Sequence, residues 1–275
     1  MSQKILVVLL VTAGFILNIF ALDVYDTINL NTTTVYNEDV HIYPGGVIQN
    51  EYGIHVNLTI NGNLINEGTL QRNTLGYDLH LTLNGDLSNS GILNPRSTTI
   101  SGSVAHNISA SNPITTPQFT VTNSAGLIAN GDIAFNDCDV DFNDYLLDIT
   151  GGYDISVDGG SFTYASVEGL ADISVINLTN SAYIGYTDLN NMIFTGTHDI
   201  YYSNSIRGKS VNNRIFQSYS GIHPIMTIED DFTNNGSIIN NGGYNLTIDC
   251  FGGTITNDGT WSNYFLNFKG TTDQN

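Results

Sequence analysis

Three carboxylates set two residues apart are the chain's first candidate for chemistry. Asp137, Asp139 and Asp141 fall within NDCDVDFND, residues 136–144. On a strand, successive side chains point to opposite faces, so the three carboxylates share one face while Cys138, Val140 and Phe142 fill the other. Carboxylates in a row repel one another unless a cation or water lies between them. Calcium suits such a site because it takes oxygen ligands in flexible geometry. The row spans ~14 Å at ~3.4 Å per residue, too long for all three to reach one ion at roughly 2.3–2.6 Å. An adjacent pair can share an ion, with Asp144 or a carboxylate from a neighbouring turn completing the shell. Without an ion the row is a solvated acidic face. The run Glu229, Asp230 and Asp231 reads the same way, at a turn.

The other reactive side chains form weaker patterns. Arg207, Lys209 and Arg214 are the only concentrated cations. Proton abstraction next to a carbonyl would require such a base beside the carboxylates; otherwise they form a solvated loop or offset the acidic body. The six histidines (41, 55, 80, 106, 198 and 223) lack zinc spacing. No Ser-His-Asp order, phosphate loop or dinucleotide fingerprint occurs. Calcium at the aspartate row is therefore the one cofactor candidate. Tyr183, Tyr186, Tyr201, Tyr202 and Tyr219 cluster in the sequence. They read either as an aromatic platform for sugar faces or as ordinary β-surface tyrosines.

The elements that must hold these residues are visible as a repeat. NLTINGNLINEGTL (57–70) aligns without a gap on HLTLNGDLSNSGIL (80–93), 23 residues later. The phrase returns as MTIEDDFTNNGSII (226–239) and LTIDCFGGTITNDGTW (246–261), where Asn234 and Gly236 fall on Asn257 and Gly259. A repeat of this length, with alternating apolar residues and Asn/Gly punctuation, marks a β-solenoid. Leu58, Ile60 and Leu64 should face inward. Gly62 and Gly68 should form corners, where glycine accepts positive φ. Asn66 and Asn89 should stack as an amide ladder. Between residues 111 and 224 the strand grammar persists without the strict phrase. DISVDGGSF (154–162) and DISVINLTN (172–180) begin 18 residues apart, and Leu246 to Leu266 suggests a spacing of 20.

Residues 1–21 read as a secretory signal peptide, with Lys4 before the apolar run Ile5 to Phe20. Residues 22–56 read as an N-terminal cap with the first strands, and residues 57–275 as the repeats. The chain stops after a strand at NFKGTTDQN, which suggests a truncated or open-ended rod. No later segment is long enough to span a membrane. The net charge of −19 disfavours nucleic acid and anionic membrane surfaces. Only 12% of residues are charged, however, so the chain is not a disordered acidic tail. Cys138 and Cys250 lie 112 residues apart, about five repeats, beyond disulfide reach in a solenoid. Each should pack singly in the core.

These phrases resemble the repeats of secreted bacterial right-handed parallel β-helix proteins, including adhesin-like surface proteins. DISVDGGSF and DISVINLTN resemble the looser turns of the pectin-lyase-like superfamily. The resemblance implies an all-β, single right-handed parallel β-helix of about 20–23 residues per turn. It specifies an architecture and not one activity. It implies a secreted or cell-surface structural and binding protein, adhesin-like, that presents a face to glycans or surface proteins. The alternative it implies is a calcium-dependent polysaccharide lyase or glycoside hydrolase, whose outward aspartates hold calcium against an acidic sugar. IRGK resembles the Arg-x-Lys of β-helix galacturonases, but their Asn-x-Asp and Gly-His-Gly signatures are absent. An enzyme is the less favoured expectation.

Overall fold

A computed structural model describes residues 21–73 and 77–270. The signal-peptide reading falls outside the described residues except for Ala21, which opens the first strand. The described residues wind into a single parallel β-helix of about 11 turns, 62% strand, with no helix among them. Each early turn has three short strands. One such turn is Asp39–Ile42, Val47–Asn50 and Val56–Ile60. The next is Leu64–Asn66, Thr69–Gln71 and Leu79–Leu83.

The repeat spacing becomes strand register. Leu64 pairs with Leu87, Leu70 with Leu93 and Leu58 with Leu81, all in parallel. Residues 22–56 run in the same three ladders, as Val40 on Leu64 and Ile48 on Leu70 show. Alternation then buries every second residue, so Leu58, Ile60, Leu64, Leu81 and Leu83 line one continuous core. Burying such a side chain contributes roughly 1.5–3 kcal/mol. Strand pairing and core packing thus come from the same period.

Asparagine and glycine build the corners, but glycine's role differs from the expected one. Asn66 Nδ2 donates to Asn89 Oδ1 at 2.7 Å, and Asn212, Asn234 and Asn257 repeat the contact at 2.7 Å per step. The amide ladder is therefore present at both ends of the rod. Gly62, Gly68, Gly85 and Gly91 do not have positive φ. Steric closeness requires them instead. A Cβ on Gly91 would stand 2.2 Å from the Gly68 carbonyl oxygen, and one on Gly259 would stand 2.0 Å from that of Gly236. Each corner's missing side chain leaves room for the backbone of the turn beneath.

The middle turns change this plan. Leu127–Asp148 and Ile155–Glu168 run through positions that are corners elsewhere. Ala110 pairs with Ile133 and Ile114 with Phe135, so the first two ladders merge into one strand. The old third ladder continues through Phe119, Val140, Phe162, Ile184 and Ile200 to Ser218 in the second position. A new third ladder starts at Leu147 and runs through Val167, Leu189 and Ile206 to Ile228. The cross-section is thereby rephased by one side. Phenylalanine fills the core here, with Phe119 against Phe135 and Phe142 against Phe162.

Two sequence alignments fail in detail. Ile155 pairs with Ile176, not with Ile173 of the matching DISV phrase. Ile173 sits in a corner held by bonds from the Ile173 and Ser174 amides to the Leu170 carbonyl, and it is 52% exposed. Likewise Leu266 pairs with Ile248 rather than Leu246.

Candidate binding surface

A column of left-handed residues runs up one corner of the middle turns. Asp144, Tyr164, Tyr186 and Tyr202 occupy it, with φ of 64°, 49°, 54° and 59°. Register places them together. Tyr145 pairs with Ala165 and Ser166 with Asp188, while Gly185 pairs with Tyr201. A single left-handed residue turns the chain sharply between two strands. Glycine or asparagine makes that turn cheaply, whereas a bulky residue there is a genuine outlier. Three successive turns use tyrosine.

The side chains follow the backbone into a stack. The Tyr164 and Tyr186 rings lie 4.8 Å apart at 16°, and Tyr186 and Tyr202 lie 4.7 Å apart at 20°. A second group adjoins it. Tyr183, Tyr201 and Tyr219 are mutually 4.9–5.1 Å apart at steeper angles. Tyr201 joins the two groups, its hydroxyl donating to that of Tyr202 at 3.1 Å. That bond, with some desolvation and the neighbouring phenols, pushes the Tyr201 hydroxyl up to about 12. Desolvation and the phenols of Tyr164 and Tyr202 likewise raise the Tyr186 hydroxyl. Six tyrosines thus adjoin at one surface, Tyr164, Tyr186 and Tyr202 exposed and Tyr183, Tyr201 and Tyr219 half-buried.

A shallow, open depression flanks the column, lined among others by Asp144, Ser166, Tyr186, Asp188, Ser205 and Thr227. Arg207 clamps Asp188 with two donors, Nε at 2.9 Å and a second from the guanidinium. Burial nevertheless holds the Asp188 carboxyl above the usual carboxylate range, Arg207 opposing it and the Glu229 charge adding to it. Glu229 accepts from Ser205 Oγ at 3.2 Å. On the other flank Asp199 pairs in register with Tyr183 and accepts from Gln217 at 2.6 Å.

The predicted aspartate row lies elsewhere. Cys138, Val140 and Phe142 point into the core, and Asp137, Asp139 and Asp141 point out. Asp137 makes its own left-handed corner at φ 49°. Asp139 accepts from Ser161 Oγ at 2.9 Å, and Asp141 accepts from the Asn143 amide at 2.8 Å. The neighbouring turns place Gln118 and Ser161 beside Asp139, and Thr120 and Thr163 beside Asp141. None of these neighbours is a carboxylate. Among the described residues, no three His, Cys, Asp or Glu side chains group so as to hold a metal ion.

The remaining candidates have structural partners. Lys209 pairs with Asp172 at 2.7 Å, and Arg207 is committed to Asp188. Asp230 and Asp231 accept the backbone amides of Gly208 and Thr254, joining neighbouring corners. His198 is wholly buried between Phe194 and Phe216 and donates to the Thr195 carbonyl at 2.7 Å; burial lowers its pKa to about 3. Both cysteines lie in the core, and burial raises the Cys138 thiol well above its usual range.

The tyrosine cluster read from sequence includes five of these six rings. It lacks Tyr164, which stands 22 residues before Tyr186 and so announces itself by turn spacing. The left-handed backbone has no signal in the sequence, because tyrosine does not advertise positive φ. No family model, curated protein or solved structure matches the chain.

Proposed function

We propose that this protein is a secreted or cell-surface binding module, adhesin-like and non-catalytic, whose recognition surface is the tyrosine corner of the middle turns. One observation carries this reading: three consecutive left-handed tyrosines. Each such backbone position costs on the order of 1–3 kcal/mol, persists only where the surrounding structure holds it, and clusters at functional sites. The same chain uses glycine at other left-handed positions, such as Gly152 and Gly221, so a cheaper corner was accessible. The apolar N-terminal segment and the long lateral faces of the rod support display outside the cell.

A second reading, a polysaccharide lyase or glycoside hydrolase, has one observation in its favour. Asp144 and Asp188 line the same depression, and Asp188 is held toward its protonated form. Against it, the cation at the site is locked onto Asp188.

One experiment addresses both. The mature protein and a Tyr186→Asn/Tyr202→Asn variant are passed over an array of immobilised glycans and extracellular proteins. Separately, polysaccharides are incubated with each protein and assayed for new reducing ends or unsaturated products, with and without calcium. Retention by the wild type alone, without turnover, supports the binding module. Equal retention by both proteins removes the tyrosine corner from the account, and sustained turnover establishes the enzyme.

A further inference from the structure

We infer that the tyrosine corner docks a protein surface bearing lysine or arginine, rather than a glycan. The inference rests on the binding reading above and names its partner. Geometry comes first. Tyr164, Tyr186 and Tyr202 cover one another's ring faces at 4.7–4.8 Å. What they present outward is a strip of ring edges and hydroxyls. A sugar ring stacks on an open aromatic face, and the faces within this column are taken. Rigid tyrosine edges beside serine, threonine and asparagine form instead the kind of amphipathic contact that binds protein surfaces. The depression is open and shallow, which suits a broad partner better than an enclosed small molecule.

Charge selects the partner's sign. Asp144 stands at the foot of the column and Glu229 lies along one flank, both exposed, with Asp188 beside Glu229. Arg207 is the cation at this surface that meets them, and both its bonded donors go to Asp188. On a chain of net charge −19 this face repels a second copy of itself, nucleic acid and anionic membrane. Arginine or lysine on a partner would find carboxylates at Asp144 and Glu229 and phenol oxygens between them.

The test uses the mature chain, titrated by calorimetry with three probes: a short peptide alternating lysine and serine, its glutamate counterpart, and a neutral linear oligosaccharide. The lysine peptide should bind alone. Its affinity should fall about tenfold or more with Tyr186→Asn, and also on raising salt from about 0.05 to about 0.5 M. Asp144→Asn/Glu229→Gln should weaken it, while Asp26→Asn/Asp258→Asn, an equal charge change at exposed sites elsewhere, should not. Equal loss in both charge variants, with no effect of Tyr186→Asn, means non-specific attraction and overturns the inference. Binding of the oligosaccharide alone, lost with Tyr186→Asn, overturns it while leaving the tyrosine corner as a binding surface. Silence of all three probes also overturns it.

Discussion

The turns at residues 57–93 and those at 127–202 solve the same problem, bending a strand around a narrow core, by opposite means. In the first set the corner backbone is ordinary and the side chain is deleted. Gly68 and Gly91 are required because a carbonyl from the turn below fills the space of a Cβ. In the second set the backbone turns left-handed, with glycine at Gly159, Gly160 and Gly196 but with the side chain kept at Asp137, Asp144, Tyr164 and Tyr186. The first solution is silent toward other molecules, because glycine offers no contact. The second holds large side chains outward in fixed positions. The proposed recognition surface belongs to the second set.

Substitutions at the two kinds of corner break this contrast if it is wrong. The largest effect is expected from Gly91→Ala, whose methyl meets the Gly68 carbonyl 2.2 Å away. Backbone cannot yield as a flexible side chain would, so the loss should reach about 3 kcal/mol or more, read by denaturant unfolding. Little loss would mean the corners are not steric. Next is acid sensitivity in the middle turns. The His198 pKa is lowered in the folded state to about 3 from 6.5, so its contribution is fully present above pH 6.5 and declines as pH falls from there toward 3. The slope approaches ~1.4 kcal/mol per pH unit across that window. A His198→Phe variant should lose stability less steeply on acidification, and parallel curves would contradict the buried neutral ring.

Asn89→Ala should cost about 1–3 kcal/mol, because it breaks the 2.7 Å bond from Asn66 and the 3.0 Å bond to the Asn112 carbonyl inside the core. Chemical denaturation compares it with the exposed Ser88→Ala beside it, which should be near neutral. The smallest effect concerns the aspartate row. With Gln118, Ser161, Thr120 and Thr163 as neighbours, calcium should produce no calorimetric heat in the wild type or in Asp139→Asn. Heat in the wild type that vanishes in the variant would restore a calcium site there.

What the sequence reveals follows the same division. Where each turn repeats its neighbour, stacking forces like residues over like, and Leu64 over Leu87 or Asn234 over Asn257 is legible as a spacing. The direction of Asp139 and Cys138 is legible too, since alternation needs only a strand. The reason for Gly91 is not, because a glycine demanded by a neighbour's carbonyl looks identical to one demanded by its own φ. The DISV phrases mislead because a corner, Leu170 to Ser174, happens to repeat the letters of a strand. Tyr183, Tyr186, Tyr201, Tyr202 and Tyr219 are visible as a cluster. Their assembly with Tyr164 depends on the ladder handover around Leu147, which no local pattern announces.

The central claim is that the tyrosine corner is kept for contact and not for stability, and thermal melting of the Tyr164→Gly/Tyr186→Gly/Tyr202→Gly variant tests it most directly. Relief of three strained positions, at about 1–3 kcal/mol each, roughly offsets the three lost ring contacts, Tyr164–Tyr186, Tyr186–Tyr202 and Tyr201–Tyr202, at about 0.5–1.5 kcal/mol each, the Tyr201–Tyr202 hydrogen bond at about 0.5–1.5 kcal/mol, and the added chain entropy of three glycines, roughly 0.5–1 kcal/mol each. A melting temperature within about 5 °C of the wild type is expected. A decrease of about 5 °C or more, beyond 1 kcal/mol for a chain of this size, would show that the stack holds the rod together and would contradict the claim.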